Sequence, residues 1–285
     1  VVLWTLKTIP EAGSIPLWMS IAARAVSPRR RAHVNGTRWA LLAGVSALAQ
    51  SFFGGWLDGQ PFPAGYQAVF GAALVASVLE LGFFSRLRVP ILPDGEGSAG
   101  AAGLGARLRE YVRSLAEHRA FLRYQAATFA FRLALNIPAA LYTLLWVREL
   151  GASDGLIGLR GSVGYGALVL GYLFWGRCAN RLTHRRVLRI CALGFAGYAL
   201  ASALTPTAGW LPAIAVVWGL SAPGIDIGLF DLFLSACPRG REARLASLHQ
   251  FAVNLAMFAG PLVGVALANA TSIRTALAVA AGLQA

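Results

Sequence analysis

The sequence predicts an all-α protein, a polytopic membrane helix bundle with about eight or nine transmembrane helices. Of its 285 residues, 57% are hydrophobic and 13% are charged, whereas a soluble domain carries about a quarter charged residues. The apolar residues are gathered into long blocks, and about 20 apolar residues span the hydrocarbon core as a helix. The connectors between the blocks alternate in charge, as expected of a chain that crosses a membrane repeatedly.

The apolar blocks predict where each span lies. The block at 65–85 contains one charged residue, Glu80; the block at 155–176 contains only Arg160; and 190–225 contains none. Each block is long enough, or nearly so, to cross a bilayer as a helix. In chain order the predicted spans are 1–26, 38–57, 65–86, 120–146, 155–176, 187–206, 211–236 and 246–269, with a ninth that begins near 273.

The distribution of basic residues predicts the orientation. The connectors within 24–38, 86–123, 177–189 and 239–244 hold most of the 25 Lys and Arg residues. The intervening connectors hold only Arg148 and Arg274. Because positively charged residues stay on the cytoplasmic side during insertion, the arginine-rich connectors are expected to be cytoplasmic. The chain is therefore predicted to be a multi-pass protein of the cell membrane (inner or plasma membrane), with 87–119 in the cytoplasm.

The formal net charge of +13 does not indicate nucleic acid as a partner. The arginines lie between apolar blocks, where they set the orientation and contact the lipid bilayer. The three cysteines have no metal-binding or redox spacing, so neither a metal nor a cofactor is expected. Lys7 is the only lysine, a composition that hints at a GC-rich bacterial genome.

One long connector, residues 87–119, divides the spans into two groups. It opens with Pro90 and Pro93 and a stretch rich in Gly, Ala and Ser. It closes with 104–118, which predicts a short charged helix on the cytoplasmic face. The predicted organisation is three spans in 1–86, a cytoplasmic central linker in 87–119 and a second bundle in 120–285.

The two groups contain a parallel repeat at a constant offset of 210 residues. Segments 27–57 and 237–267 each run from a basic loop into an apolar span of the same predicted direction. Mapped by this offset, the chain is expected to lack about 90 residues with about three spans before Val1, and about ten residues after Ala285. The matched pairs are Pro28 with Pro238, Arg29 with Arg239, Arg31 with Arg241, Gly54 with Gly264 and Leu57 with Leu267.

One arginine-rich connector carries a family motif. The segment GRCANRLTHRRVL at 176–188 resembles the loop motif of the major facilitator superfamily. Asn180 stands where that family has an aspartate that helps to hold the outward-open state, so this gating contact is expected to differ here. The matching positions are Gly176, Ala179, Arg181, Arg185 and Leu188.

A second motif lies in the last complete span. The segment GPLVG, with Gly260, Pro261 and Gly264, is similar to the glycine-proline helix-packing motif of the family's antiporters. Together the segments resemble helices four to twelve of a major facilitator transporter. The resemblance implies two six-helix bundles, one ending within 1–86 and one in 120–285 with its last span truncated. It also implies transport of a small solute by alternating access, coupled to a gradient of protons or another cation.

Charged and polar residues inside the spans are the candidate site, because an ionisable group in a membrane is costly and usually faces the bundle interior. Arg132 lies about 18 Å into its span, and Asn136 follows one turn later on the same face. Asp226 lies near the middle of its span and is the candidate proton or cation carrier. Asp231, nearer the cytoplasmic end, is expected to pair with an arginine at the gate. The alternative for Arg132 is a structural role, satisfying carbonyls of a neighbouring helix.

Other polar residues have two interpretations each. Lys7 and Glu11 are spaced i, i+4, so they either contribute to the substrate site or neutralise each other on one helix. Asn254 either lines the site or makes an interhelical hydrogen bond. The glycines at spacing three in 155–164 are expected to serve close helix packing. Prolines at 10, 16, 138 and 223 are expected to kink their helices.

Two other classes of function compete with a transporter: a polytopic membrane enzyme, and a non-transporting receptor or scaffold of the same fold. The sequence contains no H-E-x-x-H or G-x-S-x-G motif, and its four histidines are scattered, so no enzymatic activity is expected. A convergence of His, Asp and Ser at one membrane depth would favour an enzyme. A central cavity open to one side would favour a transporter of a small-molecule solute.

Overall fold

The computed structural model describes residues 28–86, 119–178, 182–237 and 242–285. Within these ranges all the regular structure is helical, which confirms the predicted all-α class. The predicted span 1–26 and the predicted helix 104–118 lie outside the described residues. The helices are α1 (Pro28–Leu57), α2 (Ala64–Phe84), α3 (Arg119–Asn136), α4 (Ala139–Leu144), α5 (Asp154–Cys178), α6 (His184–Leu204), α7 (Leu211–Ala236), α8 (Glu242–Ala270) and α9 (Ile273–Gln284).

Six helical segments are long and apolar enough to cross a membrane, judged by length and composition in the described ranges. They follow the predicted spans within a few residues, and shorter apolar helices occupy Leu41–Leu57 and Ile273–Gln284. This agreement is expected, because a chain in lipid can satisfy its backbone hydrogen bonds only within a helix or a closed barrel. The six segments are Ala64–Phe84, Arg119–Glu149, Asp154–Cys178, Arg185–Leu204, Ala208–Phe230 and Leu248–Ala270.

The span that begins at Arg119 is the least regular. It is interrupted between Asn136 and Ala139, where Pro138 removes a backbone donor and disfavours a helical conformation of the residue before it. After α4 it continues as a π-helix, Leu145–Glu149. By contrast, α7 continues through Pro223 as a single helix.

The helix ends gather into two opposite groups, which we call the arginine-poor end and the arginine-rich end after their connectors. At the arginine-poor end, Leu145, Leu211 and Leu277 form one apolar cluster that joins the π-helix, the start of α7 and α9. Arg274 ties the same end together: it donates to Glu149 and to the carbonyls of Ala203 and Thr205, each over 2.9 Å.

At the arginine-rich end, Phe121, Phe233 and Leu245 cluster at the start of α3, the end of α7 and the start of α8. Trp175 and Val187 pack together where α5 ends and α6 begins. Starts and ends therefore alternate along the chain, so successive spans run in opposite directions, as the alternating charge of the connectors predicts.

Close packing of α5 depends on glycines. A Cβ atom at Gly158 would overlap the Gln50 carbonyl and lie 3.1 Å from Gly54 Cα on α1. Gly155 and Gly161 also meet α1. Gly164 instead meets Trp218 on α7, 3.3 Å from where its Cβ would lie, because nine residues of α-helix from Gly155 turn the chain by about 180°. The glycines thus serve close packing, as predicted, against two helices, α1 and α7.

Few of the described residues pack against the helix α2. Gly65 is its one buried residue, and large apolar side chains such as Phe70, Leu74 and Leu81 are exposed along it. An apolar surface on all sides is characteristic of a helix surrounded by lipid or by other membrane helices.

Candidate functional site

A cavity of about 360 Å³ lies between four spans, α3 with α4, α5, α6 and α7. Its volume falls in the lower part of the range of small-molecule sites, roughly 300–1,000 Å³. Its lining combines polar and aromatic groups, as such sites generally do. The polar members are Arg132, Asn136, Arg160 and Asp226, and the aromatic members are Tyr142, Phe195, Tyr198 and Trp218.

Arg132 and Asp226 form an ion pair across this cavity. The Arg132 Nη2 atom donates to Asp226 Oδ1 over 3.2 Å, and the hydroxyl of Tyr172 donates to the other carboxylate oxygen over 3.3 Å. Counted along α3 and α7, both residues lie about 15–20 Å from the arginine-rich end. The pair thus brings opposite charges together well inside the bundle, where an unpaired charge is costly.

Part of the Arg132 guanidinium remains unsatisfied. Its Nε atom is buried and has no hydrogen-bond partner among the described residues. Asp226, with half of its side-chain surface exposed (51%), is the more accessible member of the pair. A solute or cation that enters the cavity can therefore reach the carboxylate.

Asn136 lies in the same cavity lining, one turn after Arg132. Its amide donates to the Arg132 carbonyl over 2.7 Å. Gly260 packs directly behind it, because a Cβ at that position would lie 2.6 Å from Asn136 Cβ. Gly264 meets the Ile137 carbonyl in the same way. The predicted packing motif, with Pro261 inside α8, thus lies against the break between α3 and α4.

Arg160 is a cavity residue that the sequence did not select. It is the single charged residue of its apolar block, and that isolation was the signal that could have identified it. In the structure its guanidinium lies 4.3 Å from the centre of the Trp146 ring and donates to the Tyr198 hydroxyl over 2.7 Å. Cation–π contacts stabilise a cation in partly desolvated surroundings. Trp146 comes from the π-helix, an element that is frequent at functional sites.

The remaining predicted polar residues are not brought to the cavity by the described structure. Asn254 is half-buried and accepts a hydrogen bond of 3.1 Å from Gln250 on its own helix, and the cavity lining does not include it. Lys7 and Glu11 lie outside the described residues, so their two interpretations stay predictions.

The predicted loop motif is only partly described. Asn180 and Arg181 lie outside the described residues, and the side chain of Asp231 on α7 is not described either. Gly176 is exposed near the end of α5, and a Cβ there would meet nothing within 4 Å. Arg185 lies exposed in the first turn of α6. The gating role of these residues stays a prediction.

A polar contact joins α1, α2 and α5 at the arginine-poor end. The Tyr66 hydroxyl lies 2.7 Å from both carboxylate oxygens of Asp154. The backbone N–H of Gly155 donates to Asp58 Oδ1 over 3.0 Å. One carboxylate thus accepts a bond from α2, and the other satisfies a backbone donor in the first turn of α5, where α-helices have unpaired N–H groups.

Serine hydroxyls continue this contact about two turns deeper. Ser51 donates to Ser162 over 2.7 Å, and Ser162 donates to the Ala47 carbonyl. Together with the glycines of α5, these bonds hold α1 against α5 through the half of each helix nearest the arginine-poor end.

Within the described ranges, no group of three His, Cys, Asp or Glu side chains is placed to hold a metal ion. His249 lies in an aromatic cluster with Tyr124 and Phe233, where its Nδ1 atom is 3.1 Å from Gln125 Oε1.

The family model described as Major Facilitator Superfamily matches residues 125–284, more than half of the chain. The match includes every residue that lines the cavity. A search of curated proteins found no match.

Proposed function

The chain belongs to the Major Facilitator Superfamily and is thus a multi-pass membrane protein that transports a small solute, and we propose that it does so by alternating access, driven by a gradient of protons or another cation. Members of this family are transporters rather than enzymes. The plasma membrane is the proposed location, and residues 1–86 and 120–285 are the proposed domains on either side of the linker 87–119.

The observation that carries this proposal is the Arg132–Asp226 pair at 3.2 Å in the wall of the cavity. Inserting a carboxylate at the centre of a membrane helix costs about 2.5–3.5 kcal/mol on insertion scales. In the proposed mechanism Asp226 accepts a proton or a cation, which weakens its attraction for Arg132. Opening of the pair changes the wall of the cavity that the solute occupies, so that occupancy by ion and by solute become linked.

The contact between α1 and α5 supports alternating access. In the proposed organisation, α1 belongs to the first bundle and α5 to the second. Their contact through Gly54, Gly158 and Ser162 joins the two proposed bundles at the arginine-poor end. These contacts consist of closely packed glycines and hydrogen bonds between hydroxyl groups. The two helices can therefore separate without exposing a large apolar core. This contact is proposed to open in the alternate state.

A direct test measures solute-dependent ion flux. The protein is reconstituted into liposomes that contain a pH-sensitive dye, and a panel of radiolabelled monocarboxylates, amines and neutral sugars is added outside. At least one solute is expected to accumulate and to change the internal pH, relative to protein-free liposomes. Accumulation without proton movement, and unaffected by sodium, would contradict coupling. An absence of exchange for every solute class would contradict the transport proposal.

A further inference from the structure

The charges that line the cavity do not balance. Arg132 and Asp226 are 3.2 Å apart and compensate each other. Arg160 lines the same cavity, and within the described residues no carboxylate lies within ion-pair distance of it. The described lining therefore carries one net positive charge. A desolvated charge without a counter-ion is energetically costly. An anion that binds in this cavity lowers that electrostatic cost by compensating the charge of Arg160.

The surroundings of Arg160 hold its guanidinium in place. Its central carbon lies 4.3 Å from the Trp146 ring centre, 5.9 Å from that of Tyr198 and 5.7 Å from that of Trp218. The Tyr198 hydroxyl accepts one of the five guanidinium N–H donors over 2.7 Å. The remaining donors can present a planar fork to two carboxylate oxygens, the geometry in which arginine binds carboxylates best.

The size and the lining of the cavity further restrict the chemical class of the ligand. A volume of about 360 Å³ admits a small organic molecule. The aromatic wall of the cavity consists of Tyr142, Phe195 and Trp218. A flat apolar body can stack against it. A single uncompensated arginine matches one negative charge, whereas a doubly charged phosphate monoester would leave one charge unpaired.

We infer that the transported solute is a small aromatic or similarly planar monocarboxylate, whose carboxylate binds Arg160 and whose ring stacks on the aromatic wall. This inference rests on the proposed transport function and names the chemical class of its solute. Arg160 is the anion-binding residue. The Arg132–Asp226 pair is the separate element that links binding to the ion gradient.

The test compares three monosubstituted benzenes of similar size and different charge. Binding of benzoate, benzamide and benzylamine to the purified protein is measured by isothermal titration calorimetry at neutral pH. Benzoate is expected to bind about ten- to a hundred-fold more tightly than benzamide, the range that a charge-assisted hydrogen-bond pair provides. Benzylamine is expected to bind most weakly. Equal affinities, a preference for benzylamine or no binding of benzoate at millimolar concentration would overturn the inference.

Two substitutions connect that preference to Arg160. Arg160→Gln should reduce benzoate affinity by about ten-fold or more and leave benzamide affinity within about two-fold. Arg160→Lys should retain part of the preference, since lysine keeps the charge without the planar fork. Arg148→Gln, the same change at an exposed arginine, should leave the preference unaltered. A preference for benzoate that survives Arg160→Gln would overturn the assignment. If Arg160→Gln fails to fold, the relative affinities of the three probes for the unsubstituted protein still test the inference.

The binding assay separates this inference from the transport proposal. Benzoate binding that depends on Arg160, without exchange of any solute in liposomes, would sustain the anion site and refute transport. Exchange of amines or neutral solutes that is insensitive to benzoate would sustain transport and refute the anionic class.

Discussion

Arg132 on α3 and Asp226 on α7 lie 94 positions apart in the sequence, and their side chains meet at 3.2 Å in the wall of one cavity. The Tyr172 hydroxyl donates to the same carboxylate. The contact joins two spans of the proposed second bundle, about 15–20 Å along each helix from the arginine-rich end. An ion that binds Asp226 must compete with Arg132 for the carboxylate.

Substitution of Asp226 should remove coupling while leaving the fold intact. Asp226→Asn keeps the shape of the side chain and abolishes its charge, so solute-driven proton flux should fall at least about ten-fold. The pair is partly exposed, with side-chain exposures of 25% and 51%, so the free energy of unfolding should change by only about 0–1 kcal/mol. Both quantities are measured, by dye-loaded proteoliposomes and by thermal unfolding in detergent. Normal flux from a poorly stable Asp226→Asn protein would instead assign the pair a structural role.

A disulfide between α1 and α5 should stop transport. The hydroxyl oxygens of Ser51 and Ser162 lie 2.7 Å apart, close enough for a cysteine pair to cross-link. In a background without native cysteines, oxidation of the Ser51→Cys, Ser162→Cys protein should abolish solute exchange, and reduction should restore it. Each single-cysteine variant, oxidised in the same way, is the control. Full exchange by the cross-linked protein would show that these helices need not separate.

The packing motif of α8 should tolerate no side chain at Gly260. A Cβ there would lie 2.6 Å from Asn136 Cβ and 2.8 Å from its carbonyl carbon, so Gly260→Ala should cost about 1–3 kcal/mol through overpacking. Gly197→Ala on α6, where nothing lies within 4 Å, should instead gain up to about 1 kcal/mol of helix propensity. Melting temperatures in detergent should therefore shift in opposite directions. Equal shifts would mean that α8 can move away from α3.

The two connectors on either side of the first span of the second bundle should face opposite sides of the membrane. Cysteines placed at 98 and 153 in a cysteine-free background should react with an impermeant maleimide from opposite sides, 98 from the cytoplasm and 153 from outside. Position 98 lies outside the described residues, and Ser153 is exposed just before α5. Labelling of both positions from one side would refute the predicted topology.

The positions of the helices could be predicted from the sequence because the membrane imposes them. The predicted span 211–236 coincides with α7, Leu211–Ala236, and 187–206 lies within a few residues of α6. Continuous apolar stretches, breakers and arginine distribution are all local or nearly local signals. The break at Pro138 is equally local, since proline lacks the backbone donor that a helix needs.

The direction in which each helix turns its side chains could not be predicted in this way. Lipid is as apolar as leucine, so a membrane helix need not be polar on one face and apolar on the other, and its rotation leaves little trace in the sequence. The sequence identified Arg132, Asn136 and Asp226 by their cost in lipid, and the structure brings all three to one cavity. The same reasoning also selected Asn254 as a candidate. In the structure Asn254 bonds to its own helix and does not line the cavity.

The sequence by itself determined that this chain crosses the membrane repeatedly, roughly where each of the described spans lies, and which charged residues lie inside them. Tertiary structure alone decided which residues meet: Arg132 with Asp226, Gly260 with Asn136, and Arg160 with Trp146 and Tyr198. The physical reason is that hydrophobic transfer depends on local composition, whereas an ion pair or a cation–π contact depends on the distance between atoms that are far apart along the chain.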